Sequence, residues 1–447
     1  MGSCPPCSKP APRIHISQTL IRNVNAKMIF DTRLNQTIEV DVWMLAGYAI
    51  SASVPSGAPP GSNLWEPVRE AIDFVNSVIS PALSGKDPRE QAAIDDIMVR
   101  KLEEIREERG SGALMFGATA IFAVSLAVCR VGSFAQALNP YSWIAKLAGN
   151  KKLVMPIPVF NVFNFGLDPE NKLSMRELTI LPVGVSSFKD ARKINWEIYY
   201  RVMHLVRRTY GRNEPEGEEG GFAPKIKNVK EALELLTTAI SQCGHTGKVA
   251  IGVAAASEFY GPDKTYIPNF SGENNGCLQQ LSKGALKDFY KSLVTDNHVV
   301  SIEEAFDKDD WESYSKLTAE IGKEVQILGD EFLVTDPKRI ERAIKEKTCN
   351  TLLLKLKHLR TVTETIHVVK RVKEAGWGVA VSSHGSGETD DTFVAHLAVG
   401  LGACQIKVGA SCKFERHSIY REVEDVEGFE IEDFGAVDYA GAAFNIG

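Results

Sequence analysis

The sequence predicts an α/β protein in two parts, an N-terminal α+β domain followed by a larger α/β barrel. Three observations carry that expectation. Residues 14–50 alternate apolar and polar side chains, as antiparallel strands do. From about 65 to 150 the apolar residues recur three and four apart, as on amphipathic helices. Beyond 150, short apolar runs and helical segments follow one another repeatedly, the pattern of a parallel sheet.

Taken in order, residues 1–13 are rich in Pro and small residues and read as a disordered tail without the apolar core of a secretory signal. Its Cys4 and Cys7 form a lone CxxC, a weak metal or redox signal. Gly2 with Cys4 suggests lipidation, but Pro6 stands where a myristoylation pattern wants Ser or Thr. The first domain, 14–150, opens with strands on either side of turn-like TRLNQ and continues with the helices EPVREAIDFVNSVISPAL, DDIMVRKLEEIREE and ATAIFAVSLAVCRVGSFAQAL. The second, 151–447, holds the strand runs LTILPVGV, KVAIGVAAA, HVVSIEEAF, VQILGDEF, NTLLLKLK, WGVAVSSH and CQIKVGA. Helix starts are marked by Asp336 with Pro337 and by the capping box Thr361 with Glu364.

Composition narrows the function. The 447 residues carry 51 Lys and Arg against 57 Asp and Glu, a net charge of −6, so no global basic field exists to hold nucleic acid or an anionic membrane. No uninterrupted apolar run reaches the roughly 20 residues of a membrane helix. Eight cysteines, six of them scattered through apolar or helical stretches, make no disulfide framework, which fits a reducing, cytoplasmic compartment.

The charged residues at the strand ends keep a period. Glu303, Asp330, Lys355, His384 and Lys407 follow one another about one βα unit apart, so a closed barrel brings all five to one rim. In a (β/α)₈ barrel the C-terminal strand ends form the active face. Glu303 and Asp330 are hard oxygen donors on neighbouring strands, suited to Mg²⁺. Lys355 and Lys407 leave buried strands into what reads as a cationic rim, where burial and like charge are expected to lower a lysine pKa toward use as a base. A lysine base beside a metal that stabilises an enediolate is an established catalytic pattern, and these rim residues match it. The reaction class it suggests is proton abstraction α to a carboxylate.

From about residue 20 onward the sequence resembles the enolases (phosphopyruvate hydratases). IFDTRLNQTIEVDV, VPSGAP, GATAIFAVSLAVCR, GEEGGFAP, SEFY, VSIEEAF, DDWESY, GDEFLVTDPKRI, CNTLLLK, SGETDDTF and QIKVGA match segments of that family in order. The resemblance implies an eight-stranded barrel of slightly irregular strand order, a homodimer, and dehydration of 2-phosphoglycerate to phosphoenolpyruvate in glycolysis with two Mg²⁺. It assigns Lys355 as the base and Glu219 and Glu177 as the acids that help hydroxide leave. Lys407 would hold the substrate carboxylate, and Glu303 and Asp330 would be two of three ligands to the first Mg²⁺. His384 matches an active-site histidine if one residue is inserted, and Ser386 matches a substrate-binding serine.

Departures from the family are equally specific. The third metal carboxylate belongs in IGVAAASEF, a stretch one residue short that offers only Val253 or Ala254. Pro59 stands where a loop serine would reach the second Mg²⁺, Asp168 where the family has His, and Gly385 where an arginine would clamp phosphate. Leu34 and Gln36 replace a Gly and a Pro in the first turn. The expectation is therefore an enolase paralogue with a weak or incomplete Mg²⁺ site and little or no dehydratase activity, a pseudoenzyme acting by binding or as a structural subunit with an unidentified protein partner. The alternatives are an active enolase with a rewired site, in which Glu304 or Glu331 completes the metal site, and a superfamily enzyme for an unphosphorylated 2-hydroxy acid.

Overall fold

The computed structural model describes residues 16–110, 112–165, 175–211, 220–226, 228–255, 257–259, 261–266, 280–383, 388–410, 414–428, 434–435 and 437–444. The terminal tail with Gly2, Cys4 and Cys7, and the positions Asp168, Glu219, His384, Gly385 and Ser386, lie outside them.

Strands β1 (Ile21–Phe30), β2 (Gln36–Met44) and β3 (Ala49–Ser53) form an antiparallel sheet in that order. Its first strand begins at Ile21, later than the start near 14 that the alternation suggests. The period of two puts Val24, Ala26, Ile38, Val40, Val42 and Met44 on one buried face. The β1–β2 turn is the expected TRLNQ, and it forces Leu34 to φ +61, a conformation that favours glycine. Behind the sheet come α1 (Trp65–Phe74), a π turn over 75–79, α2 (Ser80–Leu83), α3 (Gln91–Arg109), α4 (Gly117–Ala135) and α5 (Pro140–Ala148). Of the described helices α4 alone is long and apolar enough to cross a membrane, and most of it is buried in the protein core.

After the short β4 (Val154–Met155), eight strands close a barrel: β5 (Ile157–Asn164), β6 (Glu177–Pro182), β7 (Val249–Ala254), β8 (Val299–Glu303), β9 (Gln326–Gly329), β10 (Thr351–Lys355), β11 (Gly378–Ser382) and β12 (Gln405–Lys407). Helices α6 (Phe188–Tyr210), α7 (Val229–Gln242), α8 (Lys283–Asn297), α9 (Trp311–Ile321), α10 (Pro337–Glu346), α11 (Val362–Glu374), α12 (Phe393–Gly400) and α13 (Phe414–Glu427) follow the strands, and β13 (Asp438–Tyr439) pairs with β4. The expected caps form: Arg339 N donates to Asp336 at 2.8 Å and Glu364 N to Thr361 at 3.1 Å.

The closed barrel has the eight strands expected, and two features go beyond the parallel sheet that the seven apolar runs suggest. The eighth strand, β5, is buried along its whole length and so lacks alternation. Strand β6 runs antiparallel to both β5 and β7. The connection from Asn164 to Glu177 lies at the lower limit of length for a parallel crossover, which favours the antiparallel pairing.

The two parts are clasped by buried polar groups. Asp95 on α3 accepts from Thr363 N at 3.0 Å and Thr363 Oγ1 at 2.6 Å, while Ser125 Oγ on α4 donates to Asp95 at 2.7 Å and accepts from Val362 N at 2.9 Å. The first-domain helices thus satisfy the amide groups at the α11 N-terminus. A second clasp joins Arg130 on α4 to both oxygens of Asp391 at 2.7 and 2.8 Å, and Ser53 N to the same carboxylate at 2.9 Å. A third joins Thr32 N to the Glu388 carbonyl at 2.9 Å.

Candidate active site

Four of the five periodic rim residues are described, and all four sit at the C-terminal strand ends: Glu303 ends β8, Asp330 follows β9, Lys355 ends β10 and Lys407 ends β12. Glu177, at the first position of the reversed β6, joins them because an antiparallel strand presents its N-terminal end to this rim. Beneath them Leu328, Leu353 and Ala380 form a separate apolar cluster inside the barrel.

The rim is built of ion pairs, and the lysine pKa shifts run opposite to the sequence expectation. Lys407 Nζ lies 2.6 Å from Glu303 and 3.0 Å from Glu177, all three side chains being nearly buried. Lys355 Nζ bonds Asp330 and lies 3.7 Å from Glu331. Burial alone would lower both amines, but Glu177 and Glu303 raise Lys407 well above its ordinary value. Asp330 and Glu303 likewise raise Lys355. The sequence could not show that Lys407 faces Glu303 across the barrel, or that Lys355 meets Asp330 from the neighbouring strand.

The carboxyls shift too. Burial, outweighing the Lys355 ammonium, pushes Asp330 up to about 6, and its Oδ1 is buried with no hydrogen-bond partner among the described residues. Burial and the charges of Asp330 and Glu303 push Glu304 up to about 7. Glu304 holds φ +52, uncommon for a non-glycine residue, and its carboxylate accepts from Glu331 N at 3.2 Å. Burial pushes Glu331 up, but Lys357, Lys355 and His358 hold it below the usual range. Burial and the Lys357 charge lower His358 to about 4, so its imidazole is neutral at pH 7. A cavity of about 390 Å³ opens beside these groups, lined by Arg176, Glu258, Glu304, Lys308 and Glu331 among others.

Register decides between Val253 and Ala254 as the rim position of β7. Ala254 pairs with Glu177 on one side and Glu303 on the other. Paired residues share a face, so the Ala254 methyl points inward with the two carboxylates while Val253 faces the helices. Strand β8 carries Val300 as an extra residue against β7, between the pairs Ile251 with Val299 and Gly252 with Ser301. That bulge keeps the short β7 aligned at the rim.

The loop bearing Pro59 is tied to the first hairpin. Asn35 Nδ2 donates to the carbonyls of Ala58 and Pro59 at 3.2 and 3.0 Å, Arg33 donates to Ala58 O at 3.3 Å, and Ser56 Oγ donates to Asp31. Pro59 offers neither hydroxyl nor amide donor. Sequence reasoning missed Lys357, whose ammonium bonds Glu331 at 2.7 Å. The strand run NTLLLKLK hid it, because β10 stops at Lys355 and a 3₁₀ turn takes Leu356–His358.

A closed α/β barrel with lysines and carboxylates interleaved around its C-terminal rim has the architecture of the barrel enzymes, whose active sites sit on that face. The comparisons narrow that class. The family model described as "Enolase, N-terminal domain" matches residues 21–144, and that described as "Enolase, C-terminal TIM barrel domain" matches 152–446. "Enolase 2" of Hevea brasiliensis is 51% identical over 439 residues, covering 95% of this chain and 98% of that protein. "Enolase" of Solanum lycopersicum is 50% identical over the same length and shares. The chain belongs to the enolase family.

The family is Mg²⁺-dependent. The hard oxygens of Glu303 and Asp330 fit that ion, and the partnerless buried Oδ1 of Asp330 is the kind of atom a cation would satisfy.

Proposed function

We propose that this rim binds 2-phosphoglycerate and dehydrates it to phosphoenolpyruvate weakly, because its metal site is incomplete, and that the chain acts chiefly through binding. The observation that carries the reading is Ala254, a methyl group in register between Glu177 and Glu303 where a third carboxylate would reach the metal. Bound Mg²⁺, held by Glu303 and Asp330, would supply Lewis-acid stabilisation of charge developing on the substrate carboxylate. The protein groups supply the rest. Lys407 orients the substrate carboxylate. Lys355 must give up its own proton before its Nζ takes the α-proton, and its ion pair with Asp330 opposes that loss. Glu177, with Glu219, protonates the departing hydroxide. Removing one electrostatic stabiliser costs on the order of 10² or more in rate.

The test is the dehydration assay at high Mg²⁺ with calorimetry. We expect turnover below about 1 s⁻¹, the low end of ordinary enzyme rates, and Mg²⁺ affinity near millimolar. Faster turnover that Lys355→Ala abolishes overturns the reading. It would favour a second one, an active enolase with a rewired site, which the placement of Glu304 beside Asp330 supports. In that case Glu304→Gln removes Mg²⁺ binding. Cytoplasmic homodimers are the assembly we propose; light scattering that returns a monomer at micromolar concentration excludes them.

A further inference from the structure

Among the described residues Lys355, Lys357 and Lys407 stand at or just beyond the strand ends, and only two of these three have a role in the proposed reaction. The third, Lys357, is placed by two contacts. Its ammonium lies 2.7 Å from Glu331 Oε1, the same oxygen that Lys355 approaches at 3.7 Å, so two cations converge on one carboxylate oxygen. Its stem runs under the loop of residues 55–62: Gly57 has φ +69, and a Cβ there would meet Lys357 Cβ at 3.1 Å. The partner carboxylate is itself only half-buried, with 43% of the Glu331 side chain exposed against 20% for Lys357. A pair of this kind costs little to open.

The loop above has no side-chain donor to offer an anion. Pro59 and Pro60 lack amide protons. The Pro59 carbonyl is taken by Asn35 and by Ser62 Oγ, and the Ser56 hydroxyl donates to Asp31. The other two lysines are committed to more deeply buried carboxylates: Lys407 to Glu303 and Glu177, Lys355 to Asp330. Lys357 is thus the rim lysine whose partner is most exposed to solvent and easiest to exchange for an incoming anion.

We propose that Lys357 binds the phosphate of the substrate, exchanging Glu331 for a phosphate oxygen and fixing under the loop a positive charge that needs no metal ion. This rests on the reading of the substrate as a phosphorylated carboxylate. It adds that phosphate is recognised by a protein ammonium at the junction of β10 and the 55–62 loop. No covalent step is involved.

The experiment is calorimetric titration of the full chain at fixed Mg²⁺ with 2-phosphoglycerate, glycerate and inorganic phosphate, for wild type, Lys357→Gln and Lys357→Arg. Lys357→Gln keeps most of the stem against Gly57, and a thermal melt checks that each variant folds. A charge-assisted hydrogen bond to phosphate corresponds to about tenfold or more in affinity. We expect Lys357→Gln to lose that much for 2-phosphoglycerate and phosphate while glycerate is unchanged, and Lys357→Arg to retain most of it. Equal losses for 2-phosphoglycerate and glycerate, or no loss for either, overturn the assignment while leaving the substrate reading intact. Failure of 2-phosphoglycerate to bind wild type overturns both. If Lys357→Gln does not fold, Lys357→Arg together with Glu331→Gln decides: freeing the ammonium in Glu331→Gln should tighten phosphate, and weaker or unchanged binding refutes the assignment.

Discussion

The barrel has two unlike arcs. From β8 through β12 the strands are parallel, and their ends deliver Glu303, Asp330, Lys355 and Lys407 to the rim at regular intervals. From β5 through β7 the strands reverse at β6, carry a register shift between Asn161 and Phe163, and end on a methyl group at Ala254. In the regular arc, Lys355 pairs with Asp330 on the neighbouring strand and Lys407 with Glu303 across the barrel. In the irregular arc Glu177 is the strand-end charge among the described residues, and it leans on Lys407 from the other side. The strand-end charges are closely spaced where the strands run parallel and thin out where β6 reverses the direction of the sheet.

The sharpest way to break this contrast is to remove the cation shared between the arcs. Lys407→Ala leaves Glu177 and Glu303 buried with their common partner gone, and breaking a buried ion pair in this way costs about 3–5 kcal/mol. We expect a large fall in melting temperature. A shift within about 0.5 kcal/mol of wild type in chemical denaturation would mean that the rim pairs do not couple the arcs.

The outer wall of the regular arc provides a pH handle of similar size. Burial, with the Arg130 charge, lowers His396 on α12 to about 4. The unfolded chain binds this proton near pH 6.5 and the native one only near 4, so the stabilisation is complete above 6.5 and is lost as pH falls toward 4. The full loss is on the order of 3 kcal/mol. Denaturation between pH 7 and 4 should show this slope, and His396→Gln should flatten it.

Restoring a charge to the irregular arc is the next test. Ala254→Asp sets a carboxylate between Glu177 and Glu303, destabilising the metal-free protein but tightening Mg²⁺ by about tenfold or more, since hard cations bind through added carboxylate oxygens. Melting curves with and without Mg²⁺ should cross. If Mg²⁺ gives no added stabilisation over wild type, Ala254 is not the missing ligand position. The smallest expected effect lies in the hairpin that carries the 55–62 loop. Leu34→Gly relieves the left-handed backbone but loosens the unfolded chain, for a net gain of about 1 kcal/mol or less. Loss of stability would show that exposed Leu34 makes a contact in an assembly.

The same contrast explains what could be read from the sequence. The regular arc was legible because each apolar run ends in an ionisable residue one βα unit after the last. Strand β5 was not, since residues buried on both faces leave no alternation and Pro158 argues against a strand interior. The direction of β6 has no signature in periodicity at all. Ala254 could be narrowed to two positions, but only the pairing with Glu177 and Glu303 separates it from Val253. The lysine pKa shifts took the opposite sign because burial is visible in an apolar run and a carboxylate brought in from another strand is not. Asp95, in an unremarkable charged helix segment, gave no sign that it would reach the start of α11.

That last contact governs how the molecule can move and melt. Asp95 is almost wholly buried, and burial raises its carboxyl pKa even with four donors around it. Rotating the first domain away from the barrel would strand that acid, Ser125 and the amides of Val362 and Thr363 without partners, a penalty of about 1–3 kcal/mol for each group. The two parts should therefore behave as one cooperative unit, with a single calorimetric transition. Ligand entry would then proceed by local loosening of the 55–62 loop and its hairpin, leaving the domain interface shut.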